Sequence, residues 1–273
     1  MKFRTIYLLF NGVLVFSFFF VFLMPAFLLG WSYAFEFWKG SWYLAVVFLA
    51  LIGVLNGFFM VNRQVFRLFE TEDWEGLFAH LSERIFIRHR YGQLQVKYLA
   101  ETAFLLGKVD AISKLEDELK ERNSSLLRSM AVVFGFVRVL KGQVPGAITF
   151  WAPYLDARGV ENRPWLRFGY AFALVLDRRL ADARSYLLEG SLARDPILGL
   201  LSAWLLDSLL LPLEEEGSKA EELRLRVREV REGLRRRFPG ASLDREIEKA
   251  KSEFHIVILS RPISDALTWL RAG

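Results

Sequence analysis

TIYLLFNGVLVFSFFFVFLMPAFLLGWSYAF, residues 5–35, carries no charged side chain. A helix needs about 20 mostly apolar residues to cross roughly 30 Å of hydrocarbon, so this stretch holds one span, placed at residues 6–29. GSWYLAVVFLALIGVLNGFFMVN, residues 40–62, is a second uncharged run and supplies another span at residues 42–62. Trp31, Trp38, Trp42 and Tyr43 cluster between them, as the rings of an interfacial aromatic belt do. The reading is a two-helix transmembrane hairpin over residues 1–62, with residues 31–41 as its short exposed loop. A cleaved signal peptide is the lesser alternative: the apolar region is too long for one, and Phe27-Leu28-Leu29-Gly30 is a poor small-x-small site.

Beyond Asn62 the composition is that of an ordinary charged globular chain. The 53% apolar content and many of the 25 Phe are concentrated before it. Lys2, Arg4 and Lys39 against Glu36 give the hairpin +2, leaving +3 of the net +5 for the rest. That is too mild to imply nucleic acid. Lys2 and Arg4 precede the first span, Arg63 and Arg67 follow the second, and only Lys39 lies between. The excess of basic residues on the cytoplasmic side then predicts an integral protein of a bacterial inner membrane with both termini cytoplasmic.

Two amides interrupt the spans. Asn11 lies near the start of the first and Asn56 near the end of the second. In an antiparallel hairpin both fall at one depth, and an unpaired amide in hydrocarbon costs several kcal/mol. Pairing of Asn11 with Asn56 is therefore expected, with Gly12, Gly53 and Gly57 permitting close helix approach. A homo-oligomer formed through Gly53 and Gly57 and headgroup snorkelling by Asn11 are the open alternatives.

The remainder has a hidden period. Small residues recur at Gly76, Ala111, Ala147, Ala183 and Ala220, each near the start of an expected helix that follows an apolar one. Gly135 and Ala171 lie twelve positions before two of the alanines. Small residues facing each other across a helical hairpin permit a short interaxial distance. A hairpin cannot bury its apolar face alone, so neighbouring hairpins stack. A non-repetitive helical bundle is the competing reading.

On Gly135, Ala147, Ala171, Ala183 and the closing Asp195-Pro196, the pattern over residues 64–237 resembles the tetratricopeptide-repeat family. The family's Trp and Tyr positions are not convincingly met. The resemblance implies an all-α fold: an α-solenoid of helix pairs over residues 63–237, following the hairpin and closed by a helical C-terminal cap over residues 238–273. Residues 242–259 read as one amphipathic helix, although residues 255–259 are β-branched enough to form a strand instead.

Catalytic signals are missing. The chain has no Cys, which excludes disulfides and thiolate sites. It carries no phosphate-binding glycine loop, nucleophile elbow or zinc-protease motif. His80 and Glu83 lie one helical turn apart, a pair more typical of a surface contact than of a metal site. Glu116-Asp117-Glu118 reads as a solvated helix face. The Arg-rich stretch 224–237 reads as self-paired through Glu222–Arg226 and Glu232–Arg236, with an acidic partner protein or nucleic acid as lesser alternatives.

No cofactor, metal or enzymatic activity is expected. Arg84, Arg88, His89 and Arg90 are candidates for lipid headgroup contact. The expected function is a membrane-anchored scaffold that binds partner proteins through its helical-repeat surface and the bilayer through its hairpin. The alternative is a non-catalytic subunit of a larger membrane complex, joined to it through the hairpin.

Overall fold

The computed structural model describes residues 3–213, 217–251 and 253–272. All of its regular structure is helical. The chain divides into two compact units, Met1–Arg84 and Ile85–Gly273. Lys2, counted in the charge of the hairpin, lies outside the described residues.

In the first unit, α1 (Phe3–Leu29) and α2 (Trp31–Glu70) pack against each other. Gly30 alone separates them, with φ +89°, a left-handed conformation that costs glycine little. Residues 31–41 are therefore not a loop, and the second helix does not begin at 42. Glu36 and Lys39 are carried on the first turns of α2, because nothing in that segment opposes helix formation. At ~1.5 Å per residue, the 40 residues of α2 outreach any hydrocarbon core. Its last turns bury Val65 and Leu68 and pack on α3 (Trp74–Ser82), after which Glu83–Ile87 forms a π-helical turn.

The second unit is a succession of helical hairpins. They are α4 (Gln93–Leu105) with α5 (Val109–Arg122), α6 (Ser124–Ser129) and α7 (Ala131–Leu140) with α8 (Val144–Trp151), α9 (Arg163–Leu176) with α10 (Leu180–Ser191), and α11 (Pro196–Leu205) with α12 (Ser218–Arg237). Each hairpin packs on the next: α5 meets α7, α8 meets α9, and α10 meets α11. The first helices α7, α9 and α11 also touch in series. Three further helices close the chain: α13 (Ser242–Ala250), α14 (Phe254–Ile258) and α15 (Ser260–Arg271). Residues 242–259 are thus two helices rather than one, and residues 255–259 do not form a strand.

One turn recurs along this series. Glu72, Gly107, Gly142 and Arg178 all have positive φ, at successive spacings of 35, 35 and 36. In each case the next N–H reaches back five residues: Asp73 to Leu68, Lys108 to Ala103, Gln143 to Arg138 and Arg179 to Leu174. This is the bond pattern that closes a helix through a left-handed residue. The end of α2 and α3 share it with the hairpins of the second unit.

At the centre of the array lies Trp151. Its side chain is fully buried, its indole N–H donates to the Ala131 carbonyl at 2.9 Å, and Phe136 meets it edge-on at 5.3 Å. A Cβ at Gly135 would lie 1.9 Å from its Cε2, and one at Gly169 would lie 2.8 Å from its Cη2. The ring from α8 therefore occupies space that only glycine leaves open on α7 and α9. Gly135→Ala should lower stability by about 1–3 kcal/mol, the usual range for overpacking. Gly146→Ala, whose Cβ would find nothing nearer than 3.8 Å, should be neutral or mildly stabilising. Chemical denaturation of the two variants in detergent, followed by helicity, checks this.

Candidate functional site

Three groups of side chains were expected to matter, and the structure places each of them. The first is in the apolar helix pair. Asn56 Nδ2 donates to Asn11 Oδ1 at 2.8 Å and to its own helix at Ile52 O, 2.9 Å. Asn11 Nδ2 donates to Tyr7 O at 3.0 Å, and the Tyr7 hydroxyl donates to Asn56 Oδ1. Every amide group of both asparagines is satisfied inside the hairpin. Tyr7 was missed by the sequence reading, although it lies one turn before Asn11 on the same face.

The glycines next to these amides play no part in the helix contact. A Cβ at Gly12, Gly53 or Gly57 would meet nothing within 4 Å. The reason is bulk. Tyr7 and Phe10 meet Phe59, Phe18 meets Phe48, and Phe22 meets Phe37, so rings rather than backbone fill the interface. A double-mutant cycle with Asn11→Leu and Asn56→Leu, read by unfolding in detergent, should give a coupling of about 0.6–2 kcal/mol. A coupling near zero would mean that the amides act independently.

The second group is the small-residue register. Ala147, Ala171, Ala183 and Ala220 are fully buried, while Ala111 is only half-buried. Gly76 is not a helix crossing: a Cβ there would strike the carboxylate of Asp73, the N-cap of its own helix, which accepts from Gly76 N at 2.8 Å. Gly135 is a close approach, but its neighbour is the Trp151 ring and not Ala147. Gly169 shares that role and stands outside the 36-residue register, so nothing in the period could point to it.

The third group is the basic cluster. Arg84 is half-buried, and Arg88 and Arg90 are exposed. His89 turns back onto the protein: its Nδ1 lies 3.1 Å from both the Tyr91 hydroxyl and Glu118 Oε1. Tyr91 donates to the same carboxylate. Burial and this bond push the phenol up to about 12, and the bond holds Glu118 below the usual carboxylate range. Glu116 and Glu118 are accordingly not a solvated face. Glu116 is buried and accepts both terminal nitrogens of Arg138, tying α5 to α7. The arginines of α12 pair differently from expectation as well. Arg226 meets Glu229, while Arg231 and Arg235 donate to the Trp269 and Leu270 carbonyls at the end of α15.

The feature that sequence reading missed is the course of α14 and α15. They lie across the first helices of the hairpins: α14 packs on α7, and α15 packs on α11. Phe254 meets Phe104 of α4 at 4.6 Å. His255 stacks on Phe136 of α7 at 6.0 Å and lies 4.3 Å from Trp165 of α9. Trp269 donates to Asp207 at 2.6 Å. Beside His255 is a cavity of about 150 Å³, lined by Lys97, Glu101, Glu161 and Glu253 among others. His255 Nε2 is buried there without a hydrogen-bond partner, 3.7 Å from Glu253 Oε2.

Burial, reinforced by Lys97, pulls the His255 imidazole down to about 4. Glu101 is pushed up, chiefly by burial. A depressed imidazole stabilises the fold above its unfolded value near 6.5, and that contribution is lost as pH falls toward about 4. Glu101 acts with the opposite sign. Wild-type stability should fall across this window by on the order of 3 kcal/mol relative to His255→Phe. Parallel pH profiles of the two proteins would show that His255 is not the responsible group.

Among the described residues, no group of three or more His, Cys, Asp or Glu side chains is placed to hold a metal ion. Three helical stretches among the described residues are long and apolar enough to cross a membrane: Tyr7–Leu29, Trp31–Glu70 and Pro196–Leu213. The third is 56% buried inside the protein over its most apolar window, against 11% and 0% for the others, so it is a core element of the hairpin array.

These features define an all-helical protein in which two long apolar helices precede a series of helical hairpins. The chain belongs to the family described as "Uncharacterised Treponema protein", which matches residues 111–272, more than half of its length. It is similar to an "Uncharacterized protein" of Treponema pallidum (strain Nichols), 29% identical over 282 residues that cover 99% of this chain and 88% of that one. The similarity thus extends through the apolar helix pair as well as the hairpin array. No solved structure matches the chain.

Proposed function

We propose that this protein is a membrane-anchored scaffold: α1 and α2 hold it in a bilayer, and its hairpin array binds partner proteins. The observation that carries the reading is the turn repeated within the second unit at residues 107, 142 and 178. It makes the array a series of like units with an extended surface, the architecture suited to docking rather than chemistry. On this reading the units are of the tetratricopeptide-repeat kind, and both termini are cytoplasmic at a bacterial inner membrane. The basic residues flanking the helix pair support that orientation.

The same turns expose Leu105, Leu140 and Leu176, each two residues before the left-handed position. They give the array a regularly spaced apolar edge. Photo-crosslinking residues placed at Leu140 and Leu176, and at Phe16 and Met60 on the outer faces of the helix pair, test the reading in intact membranes. The scaffold predicts discrete adducts with a second protein from the array positions. Adducts from the helix-pair positions alone would favour a structural subunit held by its membrane helices.

A further inference from the structure

The face of the array formed by its first helices is occupied. Phe254, Ile256, Leu259, Ile263, Ala266 and Leu270 are all buried, whereas Val257, Ser260, Arg261, Ser264, Asp265 and Thr268 are exposed. The segment is therefore an amphipathic ligand laid on a surface, not a helix enclosed on all sides. The hairpins beneath it already pack on one another in series, so their mutual contacts do not pass through it. It contacts α4, α7, α9, α11 and α12 in turn. Its polar ties are concentrated at its far end, where Arg231 and Arg235 hold the last carbonyls of α15.

The near end is poorly sealed. The cavity of about 150 Å³ remains beneath its first turn. His255 is clasped there between Phe136 and Trp165 with its Nε2 unbonded. Lys97 and Glu101 face this place from α4, Glu161 from the segment before α9, and Glu253 from the tail itself.

We infer that α14 and α15 are a displaceable latch: an intramolecular helical ligand that covers a receptor face for amphipathic helices, released at the His255 end by acid. The inference rests on the scaffold reading and adds its regulation. A partner helix that takes this face must present large apolar residues at the spacing of Leu259, Ile263, Ala266 and Leu270, and it must displace the resident one. Protonation of His255 places a cation in an aromatic clasp beside Lys97. Glu101, which takes up its own proton early, then offers less negative charge to receive it.

The test needs no partner, so its outcome is separable from that of the scaffold reading. Residues 251–253 are replaced by a protease site in the full chain, purified in detergent, and the chain is cut there. A fluorescent peptide of residues 253–272 is then added and followed by anisotropy. The cut protein should keep its helicity and take up the peptide saturably, and the uncut protein should not. Uptake should be faster at about pH 5 than at about pH 7.5 by on the order of tenfold. His255→Phe in both peptide and protein should abolish that difference. A peptide carrying Leu259→Asp and Ile263→Asp should not bind. Unfolding on cutting, or failure of the cut protein to exchange, would make the tail an integral part of the core and overturn the inference. Equal uptake at both pH values would remove His255 as the release group.

Discussion

Trp151 governs how closely three helices can approach one another. An indole from α8 enters the space above Gly135 and Gly169, where any side chain would collide with it. Its N–H finds the Ala131 carbonyl, so the ring brings no unsatisfied donor into the core. The separations of α7, α8 and α9 are therefore set by one large rigid group packed into two absences. This matters beyond local packing, because Phe136 on α7 and Trp165 on α9 form the clasp around His255. The clasp has its width because the helices carrying it are spaced by Trp151.

The apolar helix pair is built on a different principle. Its contact is made by aromatic rings, and its polar groups are gathered into the single cluster of Tyr7, Asn11 and Asn56. An amide flanked by glycines in the sequence suggests close backbone contact, but the two features separate in space. The amide points inward to its partner, and the glycines lie on open faces. The pairing of Asn11 with Asn56 was legible because depth in an antiparallel hairpin follows from counting residues. The bypassing of the glycines was not legible, because it depends on ring volumes meeting across the interface.

The same distinction holds for the array. Helix existence and the 36-residue period could be read, since both are written in local pattern. Trp151 could not, because a tryptophan at a helix end carries no local sign of what it will fill, and Gly169 lies outside the register. The turn at Arg178 was concealed for another reason. A left-handed residue usually announces itself as glycine, and here the surrounding hairpin holds an arginine in that conformation. The course of α14 and α15 was the least legible element. An amphipathic helix at the end of a chain shows that a surface must cover it, but not which surface.

The single-residue reversal at Gly30 bears on how the chain is made. A long loop would let the first helix settle in a bilayer before the second leaves the ribosome. If the pair is anchored in a bilayer as proposed, the one residue between the helices ties the depth of α1 to that of α2. On that proposal the two would enter together, with Asn11 and Asn56 already satisfied by each other. Each crossing of roughly 30 Å takes about 20 residues at ~1.5 Å per residue, so on that proposal both crossings would be made in one insertion event that waits for Asn56 to emerge.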